Sequence, residues 1–245
     1  MFTHHKLKVY GKAVAYAATA RRMVCLWGRR HAIADHLRRA SESVVLNIAE
    51  GARLFSGPAK VGTLDYSIGS TLECAACLDI AVIKGLLSFR DAFGEKRHLL
   101  QITKMLNGLR KSWLNNSMQE EPSDYRIDYE EAASVPLFHH ESLDVYQAGL
   151  DFVRWLVALP QGQDLTDRLY REVDKAATSV VLNIAEGNGR YSELDHRRFL
   201  DMAAASAVKA AAYLDLCREK GSASLMDISA GTQLLGRICA MLSGF

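Results

Sequence analysis

The nine residues Ser43-Val44-Val45-Leu46-Asn47-Ile48-Ala49-Glu50-Gly51 recur letter for letter as Ser179-Val180-Val181-Leu182-Asn183-Ile184-Ala185-Glu186-Gly187. The two stretches lie 136 positions apart, and the same offset without gaps brings further residues into register. Phe2, His4, Leu7, Val9 and Tyr10 match Phe138, His140, Leu143, Val145 and Tyr146. Downstream, Ser70, Ala75, Ala76, Leu78, Asp79, Lys84 and Gly85 match Ser206, Ala211, Ala212, Leu214, Asp215, Lys220 and Gly221. The chain is a tandem duplication. Two copies are too few for a solenoid, which needs at least three stacked repeats, so each copy reads as its own domain.

Both copies read as helical throughout. No segment keeps the two-residue alternation of a half-buried strand. The expected helices of the first copy run about 7–27, 33–50, 58–84 and 88–114, and those of the second about 143–159, 166–186, 192–220 and 222–242. Leu99, Ile102, Leu106, Leu109 and Trp113 supply an apolar stripe at helical spacing. Pro58 suits a first helical turn, and Ser192 followed by Asp195 resembles a capping box. Gly51, Gly187, Gly85 and Gly221 are expected as left-handed stops after their helices, as is Gly187-Asn-Gly189. The fold expected is all-α, two tandem up-down four-helix bundles. Residues 1–116 form a basic bundle, 117–136 an acidic linker and 137–245 an acidic bundle. The linker carries Glu120, Glu121, Asp124, Asp128, Glu130 and Glu131 against one Arg126.

Within the motif, Val44 and Ile48 share an apolar stripe while Ser43, Asn47 and Glu50 share its polar neighbour. A polar line of this kind ties a helix to its neighbours and fixes register, provided each group is satisfied. Asn47, Glu50, Gly51, Asn183, Glu186 and Gly187 are therefore read as structural. A hydrolase built on Glu50 or Glu186 would need a base, nucleophile or metal ligand beside the motif, and none recurs in both copies.

The order Leu143-x-Val145-Tyr146, the Asn-Ile-Ala-Glu-Gly motif, Phe199-Leu200 and a small-residue region at Ser206 resembles the four-helix-bundle family found in intervening sequences of 23S ribosomal RNA genes. The accessory variability determinant of diversity-generating retroelements is a relative of that family. The resemblance covers nearly the whole chain, twice. It implies a small helical oligomer, often a pentameric ring, without known catalysis. The retroelement relatives bind a reverse transcriptase and nucleic acid through a basic surface. The copies depart from the family in different places. The third-helix run Gly69-Ser70-x-x-Glu73 stands intact in the first copy but is Ala205-Ser206-x-x-Lys209 in the second. The polar loop after the motif is replaced in the first copy by Leu54-Phe55-Ser56-Gly57-Pro58. This double drift argues against a symmetric ring.

The net charge of +2 over 245 residues conceals a split. Residues 1–116 hold 18 Lys and Arg against 8 Asp and Glu, a net +10; residues 117–245 hold 12 against 20, a net −8. Arg90, Arg97, Lys104 and Lys111 follow at intervals of seven, which makes one stripe on the fourth helix, roughly 30 Å long, on the face away from the core. Met226, Gln233 and Ala240 occupy the first three equivalent positions in copy two. Arg21, Arg22, Arg29 and Arg30 bracket the first interhelical loop. These eight residues are the candidate nucleic-acid surface, for RNA or DNA. With no sequence-reading module present, contact is expected through the backbone phosphates and should be salt-sensitive. Alternatively, the basic copy docks on the acidic linker or on the acidic second copy, of this chain or of another.

Five cysteines, an odd and sparse set, argue against a disulfide scaffold and for a reducing cytoplasm. Cys74-x-x-Cys77 lies inside an expected helix and reads as small packing residues. The pairs His4-His5 and His139-His140 read as loop histidines. No apolar run approaches the ~20 residues of a membrane span, and Ala13–Ala20 before Arg21 reads as amphipathic helix rather than signal peptide. No cofactor and no metal are expected. The function expected is a non-enzymatic, nucleic-acid-associated accessory or scaffold protein, assisting a reverse transcriptase or a ribosomal-RNA-linked process. A homo-oligomer is expected. The competing reading is a structural oligomer that binds only protein, supported by the small residues Ala203 to Ala212.

Overall fold

The computed structural model describes residues 2–28, 31–55, 57–114, 136–159, 167–219 and 225–244. Eight α-helices lie among them: α1 (Lys8–Trp27), α2 (Ala32–Gly51), α3 (Gly57–Ile83), α4 (Phe89–Leu114), α5 (Asp144–Ala158), α6 (Asp167–Asn188), α7 (Glu193–Glu219) and α8 (Leu225–Leu242). Short 3-10 turns, Thr3–Lys6 and His139–Ser142, precede α1 and α5 at equivalent positions of the two copies. In the first copy α1, α2, α3 and α4 pack in sequence and α4 returns to α1; α5 to α8 close in the same way. The helices start and stop within three residues of the bounds the sequence predicts. The linker 117–136 lies outside the described residues except for Pro136.

Local chemistry accounts for several boundaries. The Ser88 hydroxyl accepts the Asp91 N–H at 3.1 Å and donates to the Asp91 carboxylate at 2.6 Å, a cap at the start of α4. The Ser192 hydroxyl accepts the Asp195 N–H at 3.4 Å as α7 begins. Gly85 ends α3 in the left-handed region, φ 68°. Gly51 and Gly187 do not act as stops. Gly51 is the last residue of α2 and Gly187 lies within α6, and neither has positive φ. What demands glycine there is proximity to the third helix of the same bundle. A Cβ on Gly51 would stand 2.2 Å from Thr63 Oγ1. One on Gly187 would stand 2.8 Å from Phe199 Cβ, and Phe199 is the repeat equivalent of Thr63. Gly189 likewise has no positive φ, and Gly221 lies outside the described residues.

The two bundles pack on one another. α3 lies against α6 and, more lightly, α5. This explains an asymmetry between equivalent helices. α3 is buried nearly all round, with Ile68, Leu72, Ala76 and Ile80 covered, whereas α7 buries a single stripe of Leu200, Ala203, Ala207, Ala210, Leu214 and Cys217. α3 is also long and apolar enough to cross a membrane by length and composition, a property the broken apolar runs of the sequence do not announce. Its place between two bundles gives that composition a cause.

Candidate nucleic-acid interface and the seam between the bundles

The motif line works identically in both copies. Asn47 Nδ2 donates to the Ser43 carbonyl at 2.8 Å and to Ser43 Oγ at 3.0 Å, and Ser43 Oγ is 2.8 Å from Ser70 Oγ on α3. Asn183 bonds Ser179 at the same 2.8 and 3.0 Å, and Ser179 Oγ is 2.9 Å from Ser206 Oγ on α7. Each copy thus clips its second helix to its third through a Ser–Asn–Ser chain. Side-chain bonds of this kind need one register, since a slip would leave half-buried polar groups without partners.

The last acidic position of the motif behaves differently in the two copies. Glu50 is exposed. Glu186 is drawn into the seam, where its carboxylate pairs with Arg190. Burial and the facing Glu73 push the Glu186 carboxyl up to about 7, against the opposing pull of Arg190. Glu73 in turn accepts from His36 Nδ1 at 3.2 Å. Glu186, Glu73 and His36, with Ser43, Ser70, Ser179 and Asn183, line a cavity of about 350 Å3 between the copies.

On either side of that cavity the seam is tight. A Cβ on Gly189 would stand 2.7 Å from Gly69 Cα, so the two backbones cross at a glycine pair. The Arg190 guanidinium, nearly buried, lies 4.5 Å over the rings of both Tyr66 and Phe199. Ion pairs flank the crossing. Lys84 meets Asp174 at 2.5 Å. Lys96 holds Asp79 at 2.7 Å and Glu141 of the second copy at 2.8 Å, and the Tyr146 hydroxyl donates to the other Asp79 oxygen at 2.9 Å. Desolvation pulls the Lys96 ammonium down, but the two carboxylates outweigh it and hold its pKa above the ordinary value. Burial raises Glu141. Arg110 pairs with Asp65 at 3.0 Å and lies 3.9 Å over the Tyr191 ring.

The seam gives the double drift a physical reading. The Gly69-Ser70-x-x-Glu73 run of the first copy and the Gly187-Asn-Gly189-Arg190 stretch at the end of α6 in the second copy face each other across it. Their counterparts, Ala205 and Arg53, are both exposed. Each copy has kept the half of the family pattern that the seam uses.

The basic stripe lies elsewhere. Arg90, Lys104 and Lys111 are exposed on α4 and Arg97 is half-buried. Their face is opposite the buried Leu99, Ile102, Leu106 and Leu109. Arg97 and Lys104 make further interactions of their own. One position earlier at each step, Lys96, Thr103 and Arg110 form a neighbouring stripe, and its two cations are spent on the seam. Arg21 and Arg22 are exposed at the end of α1. α1 runs antiparallel to α4, anchored where Lys12 Nζ donates to Gln101 Oε1 at 3.0 Å. Nine residues on, about 13 Å along the axis, Arg21 stands near the level of Arg90. Arg29 and Arg30 lie outside the described residues.

The weaker sequence signals resolve plainly. Cys74 and Cys77 are fully buried, and burial raises both thiols well above the usual range, so neither is a reactive thiolate. His139 is exposed beside Asn188, while His140 is fully buried, stacked on Phe138 and edge-on to Tyr146. Burial lowers His140 to about 3, so it is neutral. Among the described residues no group of three His, Cys, Asp or Glu has metal-binding geometry.

The family model for 23S rRNA-intervening sequence proteins matches this chain twice, over residues 5–108 and 141–244. The chain belongs to that family. The matched segments coincide with the two bundles, so the duplication is one of whole family units. Neither the curated proteins nor the solved structures contained a match. The second relative suggested by the motif, the retroelement accessory protein, is not among these findings.

The residues of the seam were not legible in the sequence. Lys96 and Arg110 are as basic and as regularly spaced as their neighbours Arg97 and Lys111. Which stripe faces outward depends on where Glu141 and Tyr191 come to lie. A usable signal was present in Gly69 and Gly189, each kept in only one copy.

Proposed function

We propose that this family member is a non-enzymatic, nucleic-acid-associated accessory protein. Its first bundle presents the α4 stripe and the end of α1 to a phosphate backbone, and its second bundle serves assembly or partner contact. One observation carries this reading. The docking of the two bundles engages Lys84, Lys96, Arg110 and Arg190, while Arg90, Lys104 and Lys111 stay exposed on the face of α4 opposite its buried side. A net charge of +10 in residues 1–116 attracts polyanions, and a linear array of cations spanning roughly 30 Å tracks a backbone rather than reading bases. A reverse transcriptase bound to that nucleic acid, or a ribosomal RNA precursor, are the partner settings the family resemblance supports. A reducing cytoplasm suits the five free thiols.

The test is titration of labelled RNA and DNA, single-stranded and duplex, against the wild type and a variant with Arg90, Arg97, Lys104 and Lys111 all changed to Gln. Loss of four phosphate contacts should flatten the plot of log affinity against log salt by roughly 3 units of slope. Equal affinity for both proteins, or no binding by the wild type at low salt, overturns the reading. A purely protein-binding scaffold is the second reading. It is favoured by the exposed apolar side chains of α7, Met202, Val208 and Leu216.

A further inference from the structure

The third helix of each copy carries the same outward face, but only one of the two faces is covered. In α3 the positions Leu72, Ala76 and Ile80 are buried beneath the second bundle. Their equivalents in α7, Val208, Ala212 and Leu216, are exposed; Val208 is 61% exposed and Leu216 49%. Apolar side chains gathered in one exposed strip, rather than scattered singly, are the pattern of an interaction surface.

A second chain could cover this strip in two ways. One repeats the seam head to tail, with α7 of one chain against α1 and α2 of the next. The residues oppose it. The glycine crossing of Gly69 with Gly189 would become Ala205 against Arg53, at a point where even one Cβ meets backbone at 2.7 Å. The Lys96–Glu141 pair would become Thr232 against His5.

The other way is supported by the order of residues along α7. About Ala212 the exposed face is self-complementary when a second α7 runs antiparallel. Val208 then meets Leu216, Lys209 meets Asp215, and Ala205 meets Glu219, each pair occurring twice. Lys209 and Asp215 are both exposed; their contacts, Asp215 with Arg218 at 3.1 Å and Lys209 over the Tyr213 ring, stay on α7 itself, so neither charge is committed to the bundle interior. Alanine at 205 and 212, two turns apart on the contact line, allows an interaxial distance at the short end of the 8–10 Å range.

We propose that two copies of this chain associate through α7, antiparallel, with Ala212 on the two-fold axis. The contact is isologous, unlike the seam inside the chain, and it closes at two copies. It places both basic α4 faces on the outside of a four-bundle particle. The proposal is independent of whether those faces bind nucleic acid.

Light scattering on the full chain reads the mass directly, and a value twice 27.1 kDa is expected. Changing Ala212→Cys, in a chain whose exposed Cys25 is changed to Ser, identifies the surface. Facing Cα atoms of two helices ~8–10 Å apart are within disulfide reach, so mild oxidation should give a covalent dimer from this single variant. Lys209→Asp should weaken the dimer at least tenfold by setting Asp against Asp215 twice, and Lys209→Asp combined with Asp215→Lys should restore it. All three positions are exposed, so the bundles should keep their fold. A monomer up to about 100 μM overturns the proposal. So does cross-linking that requires Ala212→Cys and Leu46→Cys together, which is the mark of head-to-tail contact.

Discussion

Replacing Gly189 with Ala adds one methyl group, and the sign of its effect on stability tests the seam. Gly189 has no positive φ, so an alanine there meets no backbone penalty. On chain entropy alone the change should stabilise by about 0.4–1 kcal/mol. The seam reverses that sign. The added Cβ would stand 2.7 Å from Gly69 Cα, 2.8 Å from Gly69 N and 3.2 Å from the Ile68 carbonyl carbon. These are backbone atoms of a buried helix and cannot rotate aside. Relieving the contact means parting α3 from α6, which strains the Lys84–Asp174 pair and the stacking of Arg190 on Tyr66. Overpacking of this kind costs about 1–3 kcal/mol. For a chain of this size a loss of about 2 kcal/mol lowers the thermal midpoint by roughly 4–8 °C. Differential scanning calorimetry of the wild type, Gly189→Ala and Arg53→Ala measures it. Arg53 is the repeat equivalent on the exposed face and should change stability by no more than ~0.5 kcal/mol. A Gly189→Ala protein as stable as the wild type, or more stable, would refute the close crossing.

Other outcomes follow from the same contacts. Lys96→Met leaves Asp79 and Glu141 facing each other in the seam without a cation and should cost about 3–5 kcal/mol in urea unfolding; a loss below ~1 kcal/mol would mean the pair is solvated. Glu186, at about 7 against an ordinary 4.5, binds its proton more tightly folded than unfolded. Its contribution to stability is therefore fully present below pH ~4.5 and is lost as pH rises through 7. Across that window the wild type should lose up to ~3 kcal/mol relative to Glu186→Gln, which does not titrate, and a constant difference contradicts the burial of this carboxyl. His140 has the opposite dependence. It stays neutral in the fold to about pH 3, while the unfolded chain takes up a proton near pH 6.5. Stability should thus fall as pH drops from 6.5, by of order 3 kcal/mol at pH 4, and His140→Phe should flatten that limb of the curve.

Much of the fold was legible in the sequence because the duplication states the same pattern twice. Two copies of one apolar pattern, each with a proline near a loop and polar groups at helix starts, leave few alternatives to paired helical bundles. The motif glycines were misread for a specific reason. A glycine after an apolar run signals a left-handed stop, and the alternative at Gly51 and Gly187, a close third helix, appears only when Thr63 and Phe199 are in place. The outward placement of Arg90 and Lys111 was legible because it depends on one helix alone. The seam was not, because it depends on which of two equivalent faces each copy presents. Gly69 and Glu73 kept in one copy, and Gly189 and Arg190 kept in the other, were the trace of that choice.

On the proposed function, the duplicated bundles have kept one plan and divided the work, with phosphate contact confined to the first. The most direct measurement is RNA affinity at low salt for two variants of equal charge loss. One carries Gln at Arg90, Arg97, Lys104 and Lys111. The other carries Gln at Arg154, Arg171, Arg197 and Arg198, exposed arginines of the second bundle. The first variant should lose most of its binding and show a flatter salt slope, while the second should bind within about twofold of the wild type. Equal losses would mean that net charge alone governs binding and that the placement of the stripe is irrelevant.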